Sequence, residues 1–100
     1  MILHLVLFRF KPGATPEQLA AARDALLAMG AGIDEIRAIR FGPNLGPTAA
    51  AWPYVLAVEL DDMAAVQRYA DHPVHREAVD RLVLPIRADR LAIDVEIPAR

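Results

Sequence analysis

The sequence contains no cysteine and only one lysine, Lys11. The missing cysteine excludes disulfides, thiolate metal sites and a cysteine nucleophile. The formal net charge is −2, and the sequence has no run of basic residues. Because nucleic acids and acidic membranes bind through clustered cations, we expect neither as a partner.

Long apolar runs are also missing. No stretch approaches the roughly 20 residues that a membrane-spanning helix needs, so we expect no membrane partner. Residues 1–10 are mostly apolar, but Arg9 interrupts them, and they lack the basic start and small-residue cleavage site of a signal peptide. We therefore expect a cytoplasmic protein. A length of 100 residues suits one domain with one core, residues 1–100.

The first half of the sequence predicts a strand, a helix and a second strand. Residues 2–10 are rich in β-branched, aromatic and leucine residues and precede a Lys-Pro-Gly turn, which predicts the first strand. Residues 15–18, Thr-Pro-Glu-Gln, form a capping-box pattern, and the helix that they start is expected to end at Gly30. Residues 34–41 predict an edge strand, and residues 42–53 have loop composition.

The second half predicts a strand, two helical segments and a last strand. Residues 54–60 alternate between two faces and predict the third strand. Asp61 or Asp62 is expected to cap a helix that reaches about residue 70. A second helical segment is expected from Pro73 to about residue 84, because Pro85 disfavours helix at the residue before it. Residues 90–97 alternate between apolar and polar side chains and predict the fourth strand.

The order β-α-β-β-α-β predicts an α+β, ferredoxin-like fold with both helical layers on one face of an antiparallel sheet. Strands one and three are expected in the centre. The open face should be polar, yet strand one places Leu3, Leu5 and Leu7 there. Burial of one leucine contributes about 1.5–3 kcal/mol, so these side chains favour a homodimer packed sheet to sheet. The alternative is that residues 42–52 fold over them.

One short motif concentrates the potential chemistry of the chain. The segment Tyr69-Ala-Asp-His72-Pro73-Val-His75 holds two of the three histidines and one of the two tyrosines. Together with residues 4–11, HLVLFRFK, and the Gly-Pro-Asn of residues 42–44, it resembles the stress-responsive A/B barrel, or Dabb, domain family. The resemblance spans essentially the whole chain and implies a ferredoxin-like domain that dimerises into an α+β barrel.

The same resemblance implies site residues. One branch of the family, the plant polyketide cyclases, closes a linear polyketide by an aldol-type condensation in which the tyrosine and the second histidine of the motif act together. By that resemblance, Tyr69 and His75 are the catalytic candidates. His4 and His72 stand at family histidine positions, and Tyr54 stands where the cyclases have a histidine. These three are candidates for ligand binding.

Helical spacing predicts that His75 is at least partly buried. It shares one helical face with three apolar residues, Val79, Leu82 and Ile86. Burial lowers the pKa of an imidazole and favours the neutral form that a general base needs. If Tyr69 lies nearby, its hydroxyl can hydrogen-bond a substrate carbonyl or an enolate oxygen.

Each candidate also has a purely structural interpretation. His75 and Tyr69 are suited to packing the second helical layer onto the sheet, and His72 is suited to capping a helix. On strand one, His4 shares a face with Phe8, which forms an apolar pocket wall in either case and completes the ligand-binding candidates.

No metal or cofactor is expected. His4, His72 and His75 offer three nitrogens to zinc, but the last two flank a helix start and no carboxylate stands at ligand spacing. Two hypotheses remain open for function. The first is an enzyme or binding protein for a small, mostly apolar carbonyl compound. The second is a non-catalytic, stress-associated homodimer.

Overall fold

The computed structural model describes residues 1–99, and the order of its elements confirms the predicted fold. The elements in chain order are β1 Ile2–Phe10, α1 Pro16–Gly32, β2 Ala38–Pro43, β3 Tyr54–Leu60, α2 Met63–Asp71, α3 Pro73–Ala78, the π-helical segment Val79–Val83 and β4 Arg87–Glu96. The four strands form an antiparallel sheet in the order β2-β3-β1-β4, with β1 and β3 in the centre as predicted. Within residues 1–99, no helix has the length and apolarity to span a membrane.

The helices begin where the capping residues predicted. The hydroxyl of Thr15 accepts from the Gln18 amide, and the Gln18 side chain in turn accepts from the Thr15 amide, which completes the capping box of α1. Of the two candidate caps for α2, Asp62 is the one that acts, because its carboxylate accepts from the Ala65 amide at 2.8 Å.

The predicted end of α1 at Gly30 is wrong by two residues. The helix continues to Gly32, and β2 begins at Ala38, later than the predicted start at residue 34. A Cβ atom on Gly30 would lie 2.8 Å from the Cγ2 atom of Ile39. Gly30 therefore permits a close approach between α1 and β2, and its lack of a side chain does not end the helix.

The second helical layer also differs from the predicted continuous helix. After α3, the amide of Leu84 bonds to the carbonyl of Val79 at 2.8 Å, which is the i to i+5 spacing of a π-helix. β4 then begins at Arg87, earlier than the predicted start at residue 90. The earlier start adds Arg87 to the sheet next to the end of the helical layer.

The core lies between the sheet and the helices. In β1, the even-numbered residues Ile2, His4, Val6 and Phe8 are buried, whereas the leucines between them are only half-buried. The largest fully buried side chains are Tyr69, Leu26, Met29, Ile33, Leu56, Leu60, Val58 and Val83. The two faces of β1 are therefore those that its sequence predicted.

The open face of the sheet carries paired apolar side chains from β1 and β4. Leu3, Leu5 and Leu7 stand opposite Val95, Ile93 and Leu91 in the ladder. The three β4 residues are 40–43% exposed. This exposure shows that residues 42–52 do not cover them. The loop closes on itself instead: Nδ2 of Asn44 donates to the Thr48 hydroxyl and to the Trp52 carbonyl, and its Oδ1 accepts from the Gly46 amide.

Candidate functional site

A cavity of about 250 Å³ lies between the sheet and the second helical layer. The residues that line it are His4, Val6, Phe8, Leu26, Leu56, Tyr69, His75, Val79, Val83, Leu84, Arg87 and Arg90. Four of the six residues singled out in the sequence are thus brought together: His4, Phe8, Tyr69 and His75. The rest of the wall is mostly aliphatic, and the polar groups are gathered from β1, β4 and the helices.

His75 lies in the cavity wall with one ring nitrogen engaged. Its Nδ1 atom is 3.0 Å from the carbonyl oxygen of Ala70, across the extended backbone of His72 that separates α2 from α3. A carbonyl oxygen only accepts, so Nδ1 carries the hydrogen and Nε2 keeps a lone pair. Burial lowers the pKa of His75, although the bond to Ala70 acts in the opposite direction. The arrangement favours a neutral imidazole whose Nε2 is unprotonated and able to accept a proton.

Tyr69 packs between the two cavity histidines. Its ring centroid lies 4.6 Å from that of His75 and 5.6 Å from that of His4, and the residue is only 1% exposed. Among residues 1–99, no group hydrogen-bonds the Tyr69 hydroxyl, and the residue lines the cavity. Burial raises the pKa of this phenol, so the hydroxyl stays protonated at neutral pH. It can therefore donate a hydrogen bond to a ligand.

His4 is fixed by a carboxylate on the neighbouring strand. Its Nδ1 atom lies 2.6 Å from Oδ1 of Asp94, which is its direct partner in the β1–β4 ladder. Because an ionised carboxylate only accepts, Nδ1 of His4 donates this bond. The bond orients the ring of His4 beside Tyr69, in the way that a carboxylate orients a functional histidine in many enzymes.

Two arginines of β4 line the cavity and were missed in the sequence. Arg90 stands opposite Phe8 in the ladder, and Arg87 stands opposite Phe10. Burial is the largest effect on both pKa values: it raises that of Tyr69 and lowers that of His75. The positive charge of Arg90 lowers both. The alternation of residues 90–97 places Arg90 and Asp94 on one face of the strand, but it does not say which face meets the helices.

The other two sequence candidates lie elsewhere. The Nδ1 atom of His72 accepts from the Val74 amide at 3.1 Å, so this side chain caps α3. Tyr54 stacks on Phe41 with ring centroids 5.7 Å apart and lines a separate depression of about 370 Å³ together with Arg23. Neither residue lines the cavity that holds His75 and Tyr69.

The three histidines do not converge. His4 and His75 line the cavity, whereas His72 is directed at its own helix start. In the part of the chain that the structure describes, no group of three or more histidine, aspartate or glutamate side chains is placed to hold a metal ion. The chemistry available in the cavity is therefore that of two imidazoles, one phenol and two guanidinium groups.

Comparison with known proteins identifies the family and finds the same fold in solved structures. A family model described as Stress responsive A/B Barrel Domain matches residues 2–97. An uncharacterized protein of Streptomyces coelicolor is 31% identical over 81 residues, which cover 79% of this chain and 84% of that one. A dimeric ferredoxin-like protein of unknown function from Thermobifida fusca is 33% identical, with a TM-score of 0.82 over 96% of this chain and 90% of that one.

An enzyme shares the fold at lower identity. The hydroxynitrile lyase of Passiflora edulis is 16% identical, and the superposition covers 99% of this chain and 94% of that chain with a TM-score of 0.85. At this identity the likeness establishes a common fold and nothing about the reaction.

Proposed function

The chain belongs to the stress-responsive A/B barrel domain family, and we propose that it is a cytoplasmic homodimer that removes a proton from a small carbonyl compound bound in the cavity of each subunit. One observation carries the proposal. The bond from His75 Nδ1 to Ala70 leaves Nε2 as an acceptor beside the Tyr69 ring, in a cavity lined mostly by apolar side chains.

The proposed step is deprotonation next to a carbonyl. Nε2 of His75 takes a proton from the carbon next to the carbonyl, and the electron pair of the broken C–H bond forms the C=C bond of an enolate. The carbonyl oxygen receives the negative charge, and the Tyr69 hydroxyl stabilises it by donating a hydrogen bond. An enolate is a carbon nucleophile, so the same step begins an aldol-type condensation. No further reactant is needed to balance the proton transfer itself.

The remaining candidates support this pair in different ways. His4, held by Asp94, packs on Tyr69 and contacts the ligand from β1, while Phe8 forms part of the apolar wall. His72 acts through the start of α3, which carries His75, and makes no ligand contact in this proposal. Tyr54 belongs to the separate depression and takes no part in the step.

Dimerisation through the open face of the sheet is part of the proposal. The relative from Thermobifida fusca is dimeric at 33% identity to this chain. In this chain, Leu5 and its neighbours on β1 face the exposed side chains of Leu91, Ile93 and Val95. A second sheet packed on this face would remove an apolar surface from water, which is the driving force that the leucines of β1 predicted.

Deuterium exchange tests the proposed step directly. The protein is incubated in D₂O with 4-phenyl-2-butanone and with 2-oxo-4-phenylbutanoate, and the loss of the proton signals next to each carbonyl is followed by NMR. Catalysed exchange is expected with at least one of them. His75→Gln should slow it by about 100-fold or more, the usual size of a general-base contribution.

A matched variant separates chemistry from folding. Tyr69→Phe keeps the ring and removes only the hydroxyl, so it should slow exchange without unfolding the protein. Arg68→Gln changes an exposed residue of α2 outside the cavity. This variant should catalyse the exchange at the same rate as the parent protein. Absence of exchange with both compounds, or equal rates in the parent and His75→Gln, would leave the non-catalytic homodimer as the better description.

A further inference from the structure

We infer that the cavity selects carbonyl compounds that also carry a carboxylate, and that Arg87 and Arg90 bind that carboxylate. The inference rests on the proposed function, because it names the substrate class of the same site. It starts from the ion pairs of the described residues, which leave these two arginines without an acidic partner.

Five of the nine arginines among residues 1–99 are paired with a carboxylate on the surface. Within residues 1–99, five of them have a carboxylate oxygen within 4.0 Å: Arg9 with Asp89, Arg23 with Asp24, Arg37 with Asp61, Arg76 with Asp71 and Arg81 with Glu77. In the same described region, Arg40, Arg68, Arg87 and Arg90 have no such partner. Two of these four line the cavity. The cavity thus carries two guanidinium groups that have no carboxylate partner within 4.0 Å among residues 1–99.

The nearby carboxylate does not cancel this charge. Asp94 lies on the same face of β4 as Arg90, but it is held by His4 at 2.6 Å. Arg90 is exposed and Arg87 is half-buried, so their charged groups lie at the rim of the cavity and not in its floor. A ligand carboxylate at the rim would remain partly hydrated, and each guanidinium offers it two parallel N–H donors.

The position of Arg90 relates the rim to the proposed chemistry. Arg90 lines the same cavity as Tyr69 and His75, the two groups that would handle the carbonyl. Much of the remaining wall is aliphatic, with Val6, Leu26, Leu56, Val79 and Val83. The class that fits both parts is a small oxo acid with an apolar tail, whose carbonyl lies close to its carboxylate.

Binding of a matched pair of unreactive probes tests the carboxylate site without chemistry. The probes are 4-phenylbutanoate and 4-phenylbutanamide, which have nearly the same shape and differ in charge. Amide chemical shifts of ¹⁵N-labelled protein give both dissociation constants. The carboxylate is expected to bind about tenfold more tightly than the amide, in line with a charge-assisted, bidentate bond.

Variants assign that preference to the two arginines. The double variant Arg87→Gln/Arg90→Gln should bind both probes equally, whereas Arg68→Gln should keep the tenfold preference. Arg90→Lys keeps the charge and loses the planar fork, so it should keep only part of the preference. Equal affinities in the parent, a preference that survives in the double variant, or no binding of 4-phenylbutanoate at millimolar concentration would each overturn the inference.

The exchange experiment then separates the two proposals. Faster exchange of 2-oxo-4-phenylbutanoate than of 4-phenyl-2-butanone, with the difference lost in the double variant, supports both of them. Arginine-dependent binding of 4-phenylbutanoate without exchange of either carbonyl compound keeps the carboxylate site and rejects the deprotonation. Equal exchange rates for the two compounds keep the deprotonation and reject carboxylate selection.

Discussion

Nδ1 of His4 lies 2.6 Å from Oδ1 of Asp94, and the two residues face each other directly across the β1–β4 ladder. His4 is only 8% exposed, so water cannot readily replace the carboxylate as its partner. The bond joins two strands that are about as far apart in sequence as the chain allows. It also holds the ring of His4 against Tyr69, so one contact serves the sheet and the cavity together.

Removal of the Asp94 carboxylate should therefore lower the free energy of unfolding and also free the ring of His4 to move. Asp94→Ala leaves a nearly buried imidazole nitrogen without its partner, and we expect the free energy of unfolding to fall by about 1–3 kcal/mol. Glu77→Ala, which breaks an exposed pair with Arg81, should change it by no more than about 0.5 kcal/mol. Urea denaturation measures both. Equal losses in the two variants would show that the His4–Asp94 bond contributes no more to the free energy of unfolding than an exposed ion pair does.

Acidification should destabilise the protein through His75. Burial lowers the pKa of His75 in the folded state from 6.5, so below this pH the unfolded chain binds more protons at this residue than the folded chain does. The contribution of His75 to stability is complete above about pH 6.5, and it falls as the pH drops towards the folded-state pKa and levels off below it. Urea denaturation at several pH values from about 7.5 to 5 measures this fall.

The comparison with His75→Gln isolates the effect. Asp61 and Asp71 are exposed carboxylates whose pKa values are lowered by hydrogen bonds, from Arg37 to Asp61 and chiefly from Gln67 to Asp71, so both stay ionised throughout this pH range. The glutamine variant should lose less stability on acidification than the parent. The same pH dependence in the two proteins would mean that His75 is not desolvated in the fold.

The ring of Tyr69 should contribute to stability, whereas its hydroxyl should matter only for the proposed reaction. Tyr69→Ala removes a ring that packs on both His4 and His75, and we expect a loss of about 3–5 kcal/mol in the free energy of unfolding. Tyr69→Phe keeps those ring contacts, so its loss should stay below about 0.5 kcal/mol. Urea denaturation distinguishes the two outcomes. A phenylalanine variant as unstable as the alanine variant would reveal a structural bond of the hydroxyl.

Features set by neighbouring residues were predictable from the sequence. The capping box at Thr15, the junction at His72-Pro73 and the two faces of β1 each depend on a few consecutive side chains. The βαββαβ order followed from the periodicity, turn and capping signals of the successive segments. The motif around Tyr69 and His75 pointed to two residues that the fold places 4.6 Å apart, ring to ring.

Features set by distant contacts were not predictable from local pattern. Gly30 marked a helix end by composition, but its actual constraint is Ile39, which belongs to the next strand. The arginines of the cavity depend on the register of β4 against β1, which pairs Arg90 with Phe8. Alternation defines two faces of a strand, whereas register and the choice of buried face are decided by the partner strand and the helices.

The open sheet face gives the sharpest test of assembly. Leu5 lies in the middle of β1, between Ala57 of β3 and Ile93 of β4. In a sheet-to-sheet dimer, Leu5→Lys would introduce one buried charge from each subunit and remove two buried leucines, worth about 3 kcal/mol or more in total. The dimer should then dissociate at least about 100-fold more readily.

The control for this substitution is an equally apolar residue outside the face. Leu45 is 91% exposed in the loop after β2, so Leu45→Lys makes the same chemical change without touching the sheet. Sedimentation at micromolar concentration should show a dimer for the parent and for Leu45→Lys, and a monomer for Leu5→Lys. Circular dichroism of Leu5→Lys should remain that of the parent, because this side chain points away from the helices. A monomeric parent, or a Leu5→Lys variant that stays dimeric, would reject assembly through this face.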